Sequence, residues 1–253
     1  DRINEAKDIE SVEYPWKGLN EKTYGMRRGE VVTLTSGTGQ GKSSVCREWQ
    51  SWLINKGYTV GIVALEENVT QSAQALMGIH LNCPPHRWAE AGVTEAFDAT
   101  VGNGRCVLYD HWGSLEPDNL LSRLRYMVKA MGCTHVFLDH LSIVVSQLGS
   151  EYGNERRLID NTMTRLRSLV EELQFGLVVV SHLKRPEGRS HEEGGQVSLS
   201  HLRGSGSIAQ LSDICIGMER DQQDEDSKFV TRLRVIKNRY TGDTGLANAV
   251  RYD

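Results

Sequence analysis

The feature that most constrains the fold is a glycine-rich turn between a strand-like run and a helical pattern. The run Glu30–Ser36 (EVVTLTS) is β-type, and the turn after it contains Gly37, Gly39 and Gly41. The next segment, SSVCREWQSWLIN, has helical periodicity and stops at Gly57, a good helix terminator. A flexible loop is the simple interpretation of these glycines, and a loop that cradles phosphates is the specific one.

Strand-like and helical segments alternate along the rest of the chain. Several of the strand-like runs are apolar on both faces, which is typical of parallel strands covered by helices. We therefore predict an α/β fold with a mostly parallel central sheet flanked by helices. Residues 1–17 are interpreted as a linker and lead-in segment, and residues 18–253 as one domain. Further strands are predicted within 58–67, 105–110, 134–145, 176–184, 212–220 and 228–240, and helices within 69–81, 116–132 and 154–174.

Composition restricts the classes of function. The formal charge of −4 and the pI of about 6.1 disfavour a globally basic, DNA-coating protein but allow a local basic patch. No apolar run approaches the ~20 residues that span a bilayer, so no membrane role is expected. The five cysteines include no CxxC pair, which predicts reduced thiols and a cytoplasmic location. We interpret His80, Cys83 and His86 as a polar loop, because a closed zinc site takes four ligands.

The glycine-rich turn matches the pattern GxxxxGK[ST], except that Ser36 replaces the first glycine. Such a loop directs backbone N–H groups at phosphates, and the following helix N-terminus adds partial positive charge. Lys42 is expected to reach the β- and γ-phosphates, and the Ser43 hydroxyl to ligate Mg²⁺. The predicted nucleotide-contacting residues of this segment are Ser36, Gly37, Thr38, Gly39, Gln40, Gly41, Lys42, Ser43 and Ser44.

Acidic residues at two strand ends complete the predicted chemistry. Asp139 follows an apolar run in VFLDH, where a phosphate-binding loop needs an acid that holds Mg²⁺ with Ser43. Glu66 and Glu67 in ALEEN end the strand after the loop helix, where a carboxylate could orient a water. Each acid could instead be a solvated loop residue, and the pairing with the phosphate loop favours the functional interpretation.

Together these segments resemble the RecA-like motor domain of hexameric replicative helicases. The likeness is closest to the helicase half of phage primase-helicases and more distant to DnaB-type bacterial helicases. It implies a RecA-like P-loop NTPase core and an enzyme that hydrolyses nucleoside triphosphate, forms a ring on single-stranded DNA and unwinds duplex 5′ to 3′. The substrate implied is ATP or dTTP with Mg²⁺. The resemblance runs from about Gly18 to Tyr252 and rests on SGTGQGKSS, LEEN, LDHLSIVVS, SHLKRP, HEEG, LRGSGSIAQLSD and RYTGDTG.

The resemblance also implies residue roles. Glu66 matches the glutamate that polarises the attacking water, and His182 matches a histidine that senses the γ-phosphate. Gln210 matches a second nucleotide-state sensor. Arg239 matches an arginine finger that enters the neighbouring subunit's site. Arg220 and Tyr252 match residues that sandwich the base.

The resemblance places the DNA-binding loops in a central channel. A few cations per subunit, repeated around a ring, make a basic channel without a basic total charge. Ala209 departs from the pattern, because close relatives carry a cation at this position, and it is expected to weaken the grip on DNA. The candidate DNA-binding residues are Lys184, Arg185, Arg189, Arg203, Gly204, Ser205 and Gly206.

The expected partners are single-stranded DNA, further copies of the chain in a hexamer, and the primase and DNA polymerase of a replisome. The expected compartment is the cytoplasm, that of the bacterial host if the protein is phage-encoded. A primase half is not expected within these residues. Two alternatives stay open: a recombinase-like filament ATPase, which would not unwind a fork, and a nucleotide-gated DNA-binding clamp with little turnover.

Overall fold

A central eight-stranded sheet dominates the protein. The computed structural model describes residues 10–88, 90–110, 117–141, 155–184, 189–202 and 206–251. The strands are β1 (Ser11–Val12), β2 (Met26–Arg27), β3 (Val31–Ser36), β4 (Val60–Ala64), β5 (Cys106–Leu108), β6 (His135–Asp139), β7 (Gly176–His182), β8 (Ile214–Glu219), β9 (Val230–Asn238) and β10 (Gly245–Arg251). The α-helices are α1 (Lys17–Thr23), α2 (Lys42–Asn55), α3 (Val69–Leu81), α4 (Glu90–Ala99), α5 (Pro117–Lys129), α6 (Glu155–Leu173) and α7 (Ser207–Leu211). Short 3₁₀ turns occupy Pro85–Arg87 and Leu199–His201.

The sheet order is β10-β9-β8-β3-β7-β6-β4-β5. The strands from β8 to β5 are parallel, and β9 and β10 extend the sheet beyond β8 in antiparallel orientation. The predicted mostly parallel sheet is therefore confirmed. The C-terminal ends of the parallel strands lie along one side of the sheet, which we call the C-terminal edge. Their N-terminal ends lie along the opposite side, which we call the N-terminal edge. Neither name refers to the outermost strands β5 and β10.

Two apolar clusters cover the two faces of the sheet and confirm the flanking helices. One joins α1 and α2 to the sheet, and the other joins α5, α6 and α7 to the opposite face. Trp49 of α2 lies at the centre of the first cluster, 4.7 Å from the Tyr14 ring and 5.3 Å edge-on from the Phe137 ring. This packing fixes α2 against the sheet and sets its first turn at the end of β3.

The chain before residue 18 contributes to this core. Val12, Tyr14 and Trp16 are buried, and β1 pairs with β2. The packed part of the chain therefore starts before the boundary that we predicted at Gly18. None of the described helices has the length and apolar composition needed to cross a membrane.

Candidate active site

The phosphate loop connects β3 to α2 at the C-terminal edge. Gly39 (φ 69°) and Gly41 (φ 88°) adopt left-handed backbone conformations, which glycine reaches without steric cost. α2 begins at Lys42, directly after this turn. The first N–H groups of a helix have no partners within the helix, so an anion is favoured here. The predicted strand, turn and helix are confirmed.

Lys42 crosses the inside of the loop. Its Nζ donates to Gly37 O at 2.9 Å, Ser36 Oγ at 3.1 Å and Ser36 O at 3.3 Å. Burial lowers the pKa of Lys42, and the nearby carboxylates of Asp139 and Glu66 act in the opposite direction. The amine is therefore held among carbonyls, at the place where phosphate oxygens would supply stronger partners.

Ser43 and Asp139 form the candidate metal pair. The Ser43 hydroxyl donates to Asp139 Oδ2 at 3.4 Å, from the first turn of α2 to the end of β6. Burial is the main cause that raises the pKa of Asp139, and Glu66 adds to it, while His140, Lys42 and the Ser43 hydrogen bond lower it. Hydroxyl and carboxylate oxygens are ligands that Mg²⁺ takes, and a bound cation would stabilise the negative charge of the buried Asp139 carboxylate. These residues therefore fit a magnesium ion.

Glu66 belongs to a cluster that the sequence did not reveal. Its Oε1 shares a hydrogen bond of 2.9 Å with His140 Nε2, and the His140 ring lies edge-on to the His182 ring at 4.2 Å. The ligand-capable atoms of the three residues lie within 4.8 Å of one another. They come from the ends of β4, β6 and β7, three neighbouring strands. The sequence showed that His140 follows Asp139 but gave no indication that His140 contacts Glu66.

The two glutamates of ALEEN have different environments. Glu67 is bound by Arg47 Nη2 at 2.5 Å and by the Ser72 hydroxyl at 2.8 Å, so its carboxylate is committed to packing α2 against α3. Glu66 exposes 56% of its side chain. A half-exposed carboxylate at this edge can contact water, which favours Glu66 over Glu67 as the group that orients a nucleophile.

Hydrogen bonds tie the phosphate loop to the segments around His191 and Arg220. Gln40 is buried, and its Nε2 donates to His191 O at 2.6 Å and to Arg220 O at 3.0 Å. Its side chain therefore ties the loop to its surroundings and is not aimed at a nucleotide. Arg220 Nη2 donates to Gly39 O at 2.7 Å, and Gln222 Nε2 donates to the same oxygen at 3.1 Å. Arg220 thus lies next to the phosphate loop. Its predicted role is to contact the base of a nucleotide bound there.

Arg239 lies at the opposite edge of the sheet. Its Nη1 donates to Asp213 Oδ1 at 3.0 Å and its Nη2 to Gln210 O at 2.7 Å. Asp213 Oδ2 accepts from the backbone N–H of Val31, the first residue of β3, at 2.8 Å. The phosphate loop follows the other end of β3, roughly 16 Å away at ~3.3 Å per residue. Arg239 and Gln210 therefore do not belong to the phosphate site of their own chain.

Comparison with known proteins identifies the domain. The family described as the DnaB-like helicase C terminal domain matches residues 12–251. The chain belongs to this family. It is 42% identical over 247 residues to the DNA helicase/primase of Enterobacteria phage T3, and the match covers 94% of this chain and 43% of that protein. It is 22% identical over 232 residues to the replicative DNA helicase DnaB of Leifsonia xyli subsp. xyli (strain CTCB07), covering 87% and 50%. This DnaB-like domain thus spans half or less of these curated relatives.

Solved structures share the fold of this DnaB-like domain. A DnaB-like replicative helicase, reported with its interactions with primase, has a TM-score of 0.80 at 19% identity, covering 100% of this chain and 62% of that one. A second solved structure, described as an ATPase domain, has a TM-score of 0.77 at 19% identity, covering 100% of this chain and 95% of that one. The predicted RecA-like core is confirmed.

The candidate DNA contacts of the DnaB-like domain are only partly within the described residues. Lys184 is exposed, and its backbone N–H donates to His201 O at 2.7 Å. Arg189 is exposed and bonded to Asp221 at 2.9 Å, and Gly206 (φ 94°) precedes α7. Arg185, Arg203, Gly204, Ser205 and Tyr252 lie outside the described residues.

Proposed function

We propose that this domain is the motor of a ring-forming replicative DNA helicase. It hydrolyses nucleoside triphosphate between subunits and uses the energy to move along single-stranded DNA and unwind duplex in the 5′ to 3′ direction. The observation that carries the proposal is the division of the candidate residues between two edges of one sheet. The phosphate loop, the metal pair and Glu66 lie at one edge, whereas Arg239 lies at the other.

The C-terminal edge supplies binding and water activation. The backbone N–H groups of the loop and Lys42 would hold the triphosphate, with Ser43 and Asp139 holding Mg²⁺. When bound, Mg²⁺ neutralises charge on the phosphate oxygens. The Glu66 carboxylate accepts a hydrogen bond from the water and orients its oxygen towards the γ-phosphorus. Glu66 also provides the acceptor for the water's proton.

Arg239 supplies positive charge to the site of a neighbouring copy. A heterologous contact, in which one edge faces the opposite edge of the next subunit, closes into a ring such as a hexamer. An arginine finger acting in this way contributes ~10³–10⁵ in rate. Gln210 lies beside Arg239, so its sensing role concerns the neighbour's nucleotide. His182 lies in the site of its own chain and senses the γ-phosphate there.

DNA would lie against the loops that join the two edges. Lys184 and Arg189 follow β7 at the C-terminal edge, and the segment around Gly206 enters α7. The end of α7 reaches Arg239 and Lys237 through backbone carbonyls, so loop movement and finger position are connected. Cations and glycine backbone suit contact with DNA phosphates without base preference.

The proposal extends to partners and substrate. The relatives are named as helicase/primase and as replicative helicase, and one solved relative is described with its interactions with primase. We propose that this domain works with a primase and a DNA polymerase in the cytoplasm of a bacterial host infected by a phage. Both ATP and dTTP fit, because the phosphate contacts do not depend on the base.

Steady-state hydrolysis tests the proposal. The rates of wild type, Lys42→Ala and Arg239→Ala are measured with and without single-stranded DNA, alongside sedimentation to follow assembly. Arg123→Ala, an exposed arginine of α5, is the control for loss of a surface cation. We expect DNA-stimulated turnover that rises with protein concentration and is lost in both site variants. Assembled protein that binds nucleotide without turnover would instead indicate a nucleotide-gated clamp. Where turnover is found, unwinding of a forked duplex is measured next, and turnover without unwinding would indicate a filament ATPase.

A further inference from the structure

His140 links two groups that act on the nucleotide from different strands. It follows β6, the strand between β4 and β7. Its Nε2 is 2.9 Å from Glu66 Oε1, and its ring centroid is 4.2 Å from that of His182. The three side chains therefore form a continuous series of contacts from the end of β4, through the end of β6, to the end of β7.

Burial gives the side chains of His140 and Glu66 different freedom to move. The His140 side chain is 8% exposed and that of Glu66 is 56% exposed. His140 Nδ1 is buried and has no hydrogen-bond partner within the described part of the chain. The ring is therefore fixed by packing, and its Nε2 is the polar atom through which it holds the more exposed carboxylate.

The other end of the link leads towards the candidate DNA loops. His182 ends β7, and Leu183 after it pairs with Leu202. Lys184 N–H then bonds His201 O. Packed rings in a dense interior cannot move independently. A displacement of this segment therefore moves His182 against the His140 ring.

We propose that His140 is a positioning residue that sets the orientation of Glu66 and passes the position of His182 to it. This inference rests on the proposed function, since it assumes that Glu66 orients the attacking water. His140 itself touches neither nucleotide nor water in this role. Its hydrogen bond and its ring contact perform two separable tasks.

Two substitutions separate these tasks. His140→Gln places an amide nitrogen near the position of Nε2, and so keeps a hydrogen bond to Glu66 without a ring against His182. His140→Phe keeps a ring against His182 and removes the hydrogen bond. His135→Gln is the matched control, because His135 is also buried and lies on β6 but at the N-terminal edge.

The experiment measures kcat and KM for the nucleoside triphosphate, with and without single-stranded DNA, on assembled protein. For His140→Phe we expect the DNA-independent kcat to fall about tenfold or more, with KM close to wild type, because a general base is misplaced. For His140→Gln we expect a smaller fall in the DNA-independent kcat. We also expect its DNA stimulation factor, the ratio of kcat with single-stranded DNA to kcat without it, to drop towards one. Adding His182→Ala to His140→Gln is expected to leave that factor where it is.

Each outcome decides the inference. His140→Phe with the wild-type kcat, or His140→Gln with the wild-type stimulation factor, would overturn it. An equal loss in His135→Gln would also overturn it, since it would reflect general damage to β6. The wild-type arm reports separately on the proposed function. Assembled wild type without turnover would reject both ideas, whereas turnover in wild type together with His140 variants that keep the wild-type kcat and DNA stimulation would reject this inference alone.

Discussion

The Asp213 carboxylate holds Arg239 at the edge of the sheet opposite the phosphate loop of the same chain. The two side chains share a hydrogen bond of 3.0 Å, and Arg239 still exposes half of its side chain. Asp213 is itself fixed by the Val31 N–H and by an ion pair with Arg167. An exposed guanidinium on a buried support is suited to contact a second molecule, which in the proposed ring is the neighbouring copy.

Asp213→Asn is expected to reduce hydrolysis by assembled protein about tenfold without changing the affinity for nucleotide. The amide loses the charge that orients Arg239, whereas the phosphate loop keeps its contacts. Stability should also fall, by about 1–3 kcal/mol, because Arg167 loses a charged partner. The measurements are kcat, nucleotide affinity and urea unfolding. Arg167→Gln is the control: it should lose stability and keep kcat, and an equal fall in kcat would contradict the positioning role.

Gly41→Ala is expected to weaken nucleotide binding about tenfold. Gly41 has φ 88°, and a Cβ there would meet no heavy atom within 4 Å, so the cost is backbone strain of about 1–2 kcal/mol. Gly132→Ala is a matched control, with φ 72° and open space in the turn before β6. Titration with a fluorescent nucleotide analogue should show weaker binding in the first variant alone. Wild-type affinity in Gly41→Ala would contradict the phosphate-loop assignment.

Arg220→Ala is expected to lower the affinity for nucleoside triphosphate several-fold and to affect inorganic tripolyphosphate less. A guanidinium stacked on a base contributes about 0.5–1 kcal/mol at an exposed site. Gln222→Ala is the control, because Gln222 shares the contact with Gly39 O. Competition binding with both ligands distinguishes the roles. Equal losses for the two ligands would assign Arg220 to the loop and not to the base.

His135 is expected to make the domain less stable in mild acid. Burial is the main cause that lowers its pKa to about 4, and Arg28 adds to it. Between about pH 6.5 and pH 4 the unfolded chain binds a proton that the folded chain excludes, so stability falls as the pH falls through this range. Relative to pH 7.5, the loss at pH 5 should be roughly 2 kcal/mol. Urea unfolding of wild type and His135→Gln checks this, and an identical pH dependence in both would contradict it.

Local sequence predicted the strand, phosphate loop and first helix, because the glycines, Lys42 and Ser43 act within a few residues of one another. Asp139 and Glu66 were predicted at the correct strand ends for the same reason. The contact of Glu66 with His140 could not be predicted, because it depends on β6 lying beside β4. The opposite placement of Arg239 depends on strand register in the same way.

Other elements were missed because their local signals are weak. Tyr14 and Trp16 lie in a charged, turn-rich segment, and their burial depends on α2, which lies 26 or more residues further along the chain. The edge strand β10 was not predicted, because it begins at Gly245 and its residues are half-buried or exposed. α4 was missed as well, and Ala96 is its buried side chain among those described.

The most direct test of a site shared between subunits mixes two inactive variants. Lys42→Ala keeps the finger and loses the phosphate contact, whereas Arg239→Ala keeps the phosphate loop and loses the finger. In randomly mixed heterologous rings at equal ratio, about a quarter of the interfaces would combine an intact loop with an intact finger. We expect DNA-independent hydrolysis to reappear in the mixture, well above the sum of the two separate variants. A mixture that stays at that sum, although the variants assemble together, would show that Arg239 does not complete its neighbour's site.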